Sequence, residues 1–256
     1  NVAVGYTALG AEDGNGRNTA IGYAALSTQN AGADAHNVAV GFEAGLSVTT
    51  GIYNTLVGSL AGDALTTGNN VVMGYEALST EDTTGGVTAI GYRALKMQNA
   101  DSTSYNTAVG YQAGENVTTA VRNTFIGGLS GDATTTGGDN VALGYNALTS
   151  NTIGNSNVAI GKDAMLTNVA ADRNVAVGLG ALQNMTQATT SDTHNVAVGY
   201  AAGQNVTSGL FNNLIGGHAG LAITTGTRNV AIGYDALKSE DTGSHNVAIG
   251  HAAKRC

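Results

Sequence analysis

Proline and tryptophan are absent from this chain, and cysteine occurs once, at Cys256. Charge is also scarce. Ten basic and 18 acidic residues make up 11% of the 256 positions, against about a quarter in ordinary soluble domains. Each shortage excludes something. Without proline, and without glycine at every third place, there is no collagen helix. A single cysteine supports neither an intrachain disulfide framework nor a thiolate metal cluster. At a net charge of −8 the chain has too little Lys and Arg to neutralise phosphates, so nucleic acid is not an expected partner. No apolar run approaches the ~20 residues of a membrane helix, so membrane insertion is not expected either. Low charge combined with 42% apolar residues does not match the composition of disordered chains.

What the chain has in abundance is glycine, 38 residues, and much of it recurs at a fixed interval. The opening Asn-Val-Ala-Val-Gly-Tyr-x-Ala-Leu of Asn1 to Leu9 is the first of fifteen copies, whose glycine falls at Gly5, Gly22, Gly41, Gly58, Gly74, Gly91, Gly110, Gly127, Gly144, Gly161, Gly178, Gly199, Gly216, Gly233 and Gly250. The usual spacing is 17, with excursions to 16, 19 and 21 in the variable half of the unit. Numbering columns from the Asn, the first is Asn in every copy but one, where Val87 stands. The second is Val or Thr except at Asn213, the third mostly Ala, the fourth always a large aliphatic, and the fifth always Gly. Tyr dominates the sixth column, the seventh varies freely, the eighth is Ala except for Ser130, and the ninth is mostly Leu or Gly.

β-Branched residues alternating with small ones over four positions predict a strand. A glycine that never varies predicts a corner where φ is positive or a side chain would clash. A second short strand is expected from the Tyr to the Leu. The Thr-, Ser-, Asn-, Asp- and Gly-rich remainder is expected to be a return loop. A unit of 17 residues cannot bury its own apolar face, but stacked units can. The fold class is therefore all-β: a parallel β-solenoid of about 15 coils with a 17-residue period, occupying residues 1–256 as a single array. At about 4.8 Å per coil this predicts a rod roughly 70 Å long.

The columns carry further expectations. Asn1, Asn18, Asn37, Asn106, Asn157 and Asn229 should pass amide hydrogen bonds from coil to coil, and Gly5, Gly22, Gly41, Gly110, Gly161 and Gly233 should mark the corner. Val and Ile of the second and fourth columns are expected to form the dry core. The Ala column then faces outward as a flat stripe suited to self-association. The third column becomes large at Leu56, Phe125 and Leu214, where the sixth becomes small at Ser59, Gly128 and Gly217, which reads as an exchange of volume between the two columns.

The residues resemble a known group. Asn18 to Gly22, Asn157 to Gly161, Asn229 to Gly233 and Asn246 to Gly250 are similar to the head repeats of trimeric autotransporter adhesins. The longer form at Asn106 to Gly114 resembles repeats of phage and bacterial tail-fibre proteins. The resemblance spans the whole chain. It implies a left-handed β-roll, three chains in an intertwined or side-by-side homotrimer, and a role in attachment on a cell or virion surface. The adhesin heads usually have a shorter coil, and no anchor, stalk or C-terminal chaperone is visible. The expectation is a segment of a longer fibre protein whose partners are itself and a host-surface receptor or glycan.

No phosphate loop, zinc-protease, Cys-x-x-Cys or nucleophile-elbow motif occurs, so no enzyme, cofactor or metal site is expected. Asp63 and Asp132 hold equivalent places four coils apart, about 19 Å at solenoid spacing, too far for a glycosidase pair. The acidic pairs Glu12-Asp13, Glu81-Asp82 and Glu240-Asp241 read either as solvated loop tips or as receptor contacts. His36, His194 and His245, like Arg17, Arg122, Arg173 and Arg228, directly precede the Asn column. The Tyr column reads as a packing ladder or as a sugar-stacking surface. The alternative to a fibre is a stand-alone solenoid binding a repetitive ligand such as ice or polysaccharide, including a polysaccharide-degrading enzyme.

Overall fold

A computed structural model describes residues 1–13, 16–81 and 85–254. The chain forms two compact units, Asn1–Phe125 and Ile126–Cys256. Each is an all-β parallel solenoid with one three-residue strand per repeat, and no helix occurs among the described residues.

In the first unit the strands Val2–Val4, Thr19–Ile21, Val38–Val40, Thr55–Val57, Val71–Met73, Thr88–Ile90 and Thr107–Val109 pair in sequence order, parallel and column on column, as in Val2 opposite Thr19 and Ala3 opposite Ala20. In the second unit Val141–Leu143, Val158–Ile160, Val175–Val177, Val196–Val198, Asn213–Ile215, Val230–Ile232 and Val247–Ile249 do the same. The strand Thr124–Ile126 lies across the division of the chain. Inserted residues are absorbed in the return segment. There, Ala171–Asp172 and Ser191–Asp192 add a short parallel pair to the second unit.

The expected second strand from Tyr to Leu does not form. Those residues are turns, because two of them in every coil but the last adopt left-handed backbone, as at Ala24 (φ 53°) and Leu26 (φ 49°). A third left-handed residue directly precedes the Asn, as at His36 (φ 54°). Such a conformation costs an L-residue roughly 1–2 kcal/mol, so each coil holds it only because adjacent coils supply hydrogen bonds. Ala24 N–H, for example, donates to Tyr6 O at 2.9 Å, and Leu26 N–H to Ala44 O at 3.1 Å. The corner glycine is required twice over. Gly22 has φ +139°, and a β-carbon there would stand 2.1 Å from the Gly41 carbonyl oxygen.

The faces of the strand are the reverse of the expectation. The third column points inward and is fully buried at Ala20, Ala39, Ala89, Ala108, Ala142, Ala159 and Ala176. The second and fourth columns, Val, Thr and Ile, point outward and are half-buried or exposed. The reason is width. The eighth and ninth columns also face inward, with Ala25, Leu26, Ala77, Leu78, Ala94 and Leu95 fully buried. Opposite those leucines there is room only for a small side chain, Ala in most coils and Val72 opposite Leu78.

The same geometry corrects the volume exchange. The sixth column is outside the coil, so it cannot trade space with the third. Leu56 instead fills space vacated by glycines of the ninth column. A β-carbon on Gly45 would lie 2.5 Å from Leu56 Cδ1, and one on Gly62 would lie 3.1 Å from Cδ2. Phe125 stands in the same relation to Gly114, and Leu214 to Gly203 and Gly220. In these glycine coils the twelfth column is buried and, except at Thr134, apolar (Val48, Leu65, Val117, Val206, Ile223). In the coils with Leu or Met at the ninth place it is usually polar and still buried (Gln29, Glu81, Gln98, Asn151, Asn168).

Candidate functional site

The Asn column is interior. Asn37, Asn106, Asn157 and Asn229 are fully buried, and Asn18 nearly so. Along the column a side-chain oxygen accepts the backbone N–H of the residue that opens the next coil, an Asn everywhere but at Val87. Asn18 N–H reaches Asn1 Oδ1 at 2.8 Å, Asn37 N–H reaches Asn18 Oδ1 at 2.9 Å, and Asn174 N–H reaches Asn157 Oδ1 at 3.0 Å. Side-chain amides also hand on hydrogen bonds, as from Asn157 Nδ2 to Asn140 Oδ1 at 3.2 Å and from Asn229 Nδ2 to Asn212 Oδ1 at 3.0 Å. A second donation closes the return segment, from Asn37 Nδ2 to Gly51 O at 2.8 Å and from Asn157 Nδ2 to Ala171 O at 2.8 Å. These asparagines use their donors and acceptors on the chain itself.

The acidic pairs divide. Glu81 is fully buried and accepts from Gln98 Nε2 at 3.1 Å. Glu12 accepts from Asn18 Nδ2 at 3.1 Å, and Glu240 from the Gly243 N–H at 2.9 Å. All three sit in the inward twelfth column, so they brace the return segment and are not loop tips. Asp13 and Asp241 are exposed, and Asp82 lies outside the described residues. The signal for Glu81 was its column, where Gln, Glu and Asn alternate with Val, Leu and Ile.

Beside the Tyr column runs a polar seam made of the seventh and tenth columns. In the first unit, Glu76 is bonded by Arg93 Nε at 2.9 Å and Lys96 Nζ at 2.6 Å, and Arg93 also faces Glu115 at 3.7 Å. The Lys96 hydrogen bond holds the Glu76 carboxyl below its ordinary range. Asp63 has the opposite fate. Burial raises its carboxyl to about 6 against hydrogen bonds from the Asp63 and Ala64 amides, and Glu43 and Glu76 add to the rise. Asp63 Oδ1 is buried without a hydrogen bond. Asp132, its counterpart, belongs to the second unit. There, burial would raise the Asp235 carboxyl, but hydrogen bonds to Lys238 and His218 hold it low.

The aromatic residues stack along the array. Tyr6, Tyr23 and Phe42 have centroids 5.5 and 5.2 Å apart, and Tyr75, Tyr92 and Tyr111 have centroids 5.7 and 5.2 Å apart. Interplanar angles are 8–16°, so within each stack most ring faces cover one another and ring edges meet solvent. Between this ladder and the residue before the Asn lies the outward strand face. None of its residues in the second or fourth column carries a charge, and Ile21, Met73, Leu143 and Ile215 are each about 40% exposed or more.

His36, His194 and His245 fall on separate coils, and among the described residues no three His, Cys, Asp or Glu gather to hold a metal ion. A recess of about 330 Å³ is lined by Asp235, Leu237, Lys238, Glu240 and Lys254, with its carboxylates already engaged by Lys238 and the Gly243 amide. Comparison with protein-family models, curated proteins and solved structures finds no match.

Proposed function

We propose that this chain is a structural fibre segment that associates side by side with copies of itself through the outward strand face, and that the assembly serves attachment at a cell or virion surface. The observation that carries the reading is that face. It is apolar in every coil of the fourth column, carries only Val, Thr and one Asn in the second, lacks a charge in any coil, and stays partly exposed in both units. Soluble monomers rarely leave a continuous apolar stripe open to water. A flat parallel strand face repeated coil after coil meets its own copy at every level, which favours a closed symmetric arrangement of identical chains. The number three and the surface location come from the likeness to adhesin heads and tail fibres. The self-association surface is thus the Val/Ile face, and the Ala column is excluded from that role by its burial.

The test is the mass of the purified chain by light scattering, beside the variant Ile215→Lys with Ile232→Lys. A mass near three chains that falls to one in the variant, with the circular dichroism spectrum unchanged, supports the reading. A one-chain mass for the unaltered protein overturns it and returns the stand-alone solenoid with a repetitive ligand.

A further inference from the structure

One arrangement of four side chains is built twice, once in each unit. Arg17 directly precedes Asn18, which opens a coil of 19 residues, and Arg173 directly precedes Asn174, which opens a coil of 21. In both coils the lengthened return segment brings an aspartate back onto that arginine. Arg17 Nε lies 3.1 Å from Asp34 Oδ2, and Arg173 forms an ion pair with Asp192. Two residues after each aspartate comes a histidine, His36 or His194. Each histidine stacks on the aromatic ring of the next coil, His36 on Tyr53 at 5.7 Å and 16°, and His194 on Phe211 at 5.6 Å and 12°. All eight residues are exposed.

Loop anchoring does not account for the repetition. The coil opened by Val87 also has 19 residues, yet it carries Gly86, Thr103, Tyr105 and Arg122 in the four places. A long return segment therefore folds without the constellation. Nor does stability account for it. With side chains 69% and 49% exposed at Arg17 and Asp34, and 52% at both Arg173 and Asp192, such pairs add little to stability.

We infer that Arg17, Asp34, His36 and Tyr53, and their counterparts Arg173, Asp192, His194 and Phe211, are twin glycan-contact sites. A guanidinium offers a planar fork of donors, and a carboxylate beside it offers only acceptors. Vicinal hydroxyl groups of a sugar satisfy both at once. The exposed imidazoles of His36 and His194 next to them add ring nitrogens that can exchange hydrogen bonds with further hydroxyls. The surface is open and not concave, which suits a chain laid across it and not an enclosed small molecule. The inference rests on the attachment half of the proposed function and is independent of self-association.

The experiment is biolayer interferometry of the full 256-residue chain over immobilised dextran, mannan and polygalacturonate. The expected result is binding to at least one polymer, partial loss in Asp34→Ala or Asp192→Ala alone, and a loss of about tenfold or more in the double variant. Thr103→Ala, in the third long coil, leaves binding unchanged. Arg17→Gln with Arg173→Gln repeats the loss without touching the return segments, so a folding defect of the aspartate variants would not hide the outcome. Absence of binding to all three polymers, or full binding by both double variants, overturns the inference. Light scattering on the same samples keeps the two proposals apart, because a one-chain mass with retained binding removes self-association alone.

Discussion

Leu56 occupies the space that a side chain on Gly45 would need, at 2.5 Å from the place of its β-carbon. Leu56→Ala is therefore expected to cost about 2–5 kcal/mol by opening a cavity. Gly45→Leu alone forces a clash, although leucine takes the same left-handed backbone at Leu26 and Leu78. Together the two changes rebuild the common Ala-plus-Leu coil. A double-mutant cycle by chemical denaturation should show strong favourable coupling, and additivity within about 0.5 kcal/mol would refute the exchange.

The reversed strand faces make a sharp contrast within three residues. Ala159→Asp places a carboxylate in a fully buried position and should abolish cooperative thermal unfolding, because an unpaired buried charge is among the costliest changes a fold meets. Val158→Asp points outward, and the coil should still form. Its effect belongs in the assembly state, read by light scattering.

Val87 interrupts the Asn ladder. Its N–H still donates to Asn70 Oδ1 at 3.1 Å, but it has no side-chain oxygen for Asn106. Asn18, which opens the other 19-residue coil, serves Asn37 with its oxygen and Glu12 with its amide. Val87→Asn should do both, with Glu81 in the role of Glu12, and raise stability by about 0.5–1.5 kcal/mol. Asn157→Leu is the converse. It removes the acceptor of Asn174 N–H and two donations, and denaturant midpoints should fall.

Asp63 sets a pH dependence. Its carboxyl rises from 3.8 to about 6 in the fold, so the folded state holds the proton more tightly than the unfolded chain. As far as this group decides, stability increases as pH falls from 7 through 6 and levels off below the unfolded value near 4. Asp63→Asn is expected to melt higher than the parent at pH 7.5, with the gap closing by pH 4. A gap that is constant across this range would mean that the carboxylate's charge is not the cause.

The period, the corner glycine and the asparagine stack were legible in the sequence because each depends on one residue type repeated in one place. The direction of the strand was not. Val-Ala-Val has two faces under any reading, and the larger side chains were assigned to the core by the ordinary rule for soluble proteins. The rule fails here because Leu26, Leu78 and Leu95 already fill the narrow coil from the turn side. A readable clue was present in Leu56, Phe125 and Leu214, which coincide with ninth-column glycines. Glu81 misled for a similar reason. An acidic pair beside a glycine looks solvated, and only its column shows that the first member turns inward. The four-residue constellations escaped notice because the members of each are spread over up to three coils.

Asparagine offers the same oxygen upward that its own N–H seeks below, and the corner glycine repeats this with backbone groups, as from Gly22 N–H to Val4 O and Gly41 N–H to Ile21 O. Within either unit, removal or duplication of one whole coil outside the glycine-matched pairs, such as Gly45 with Leu56, thus leaves its neighbours with equivalent backbone and asparagine partners. Such an array has no intrinsic length. Its gene can lengthen or shorten in steps of seventeen codons by misaligned recombination, and each product inherits a ready-made fold. Reach, in such a protein, is a heritable quantity that selection can adjust without redesigning any contact.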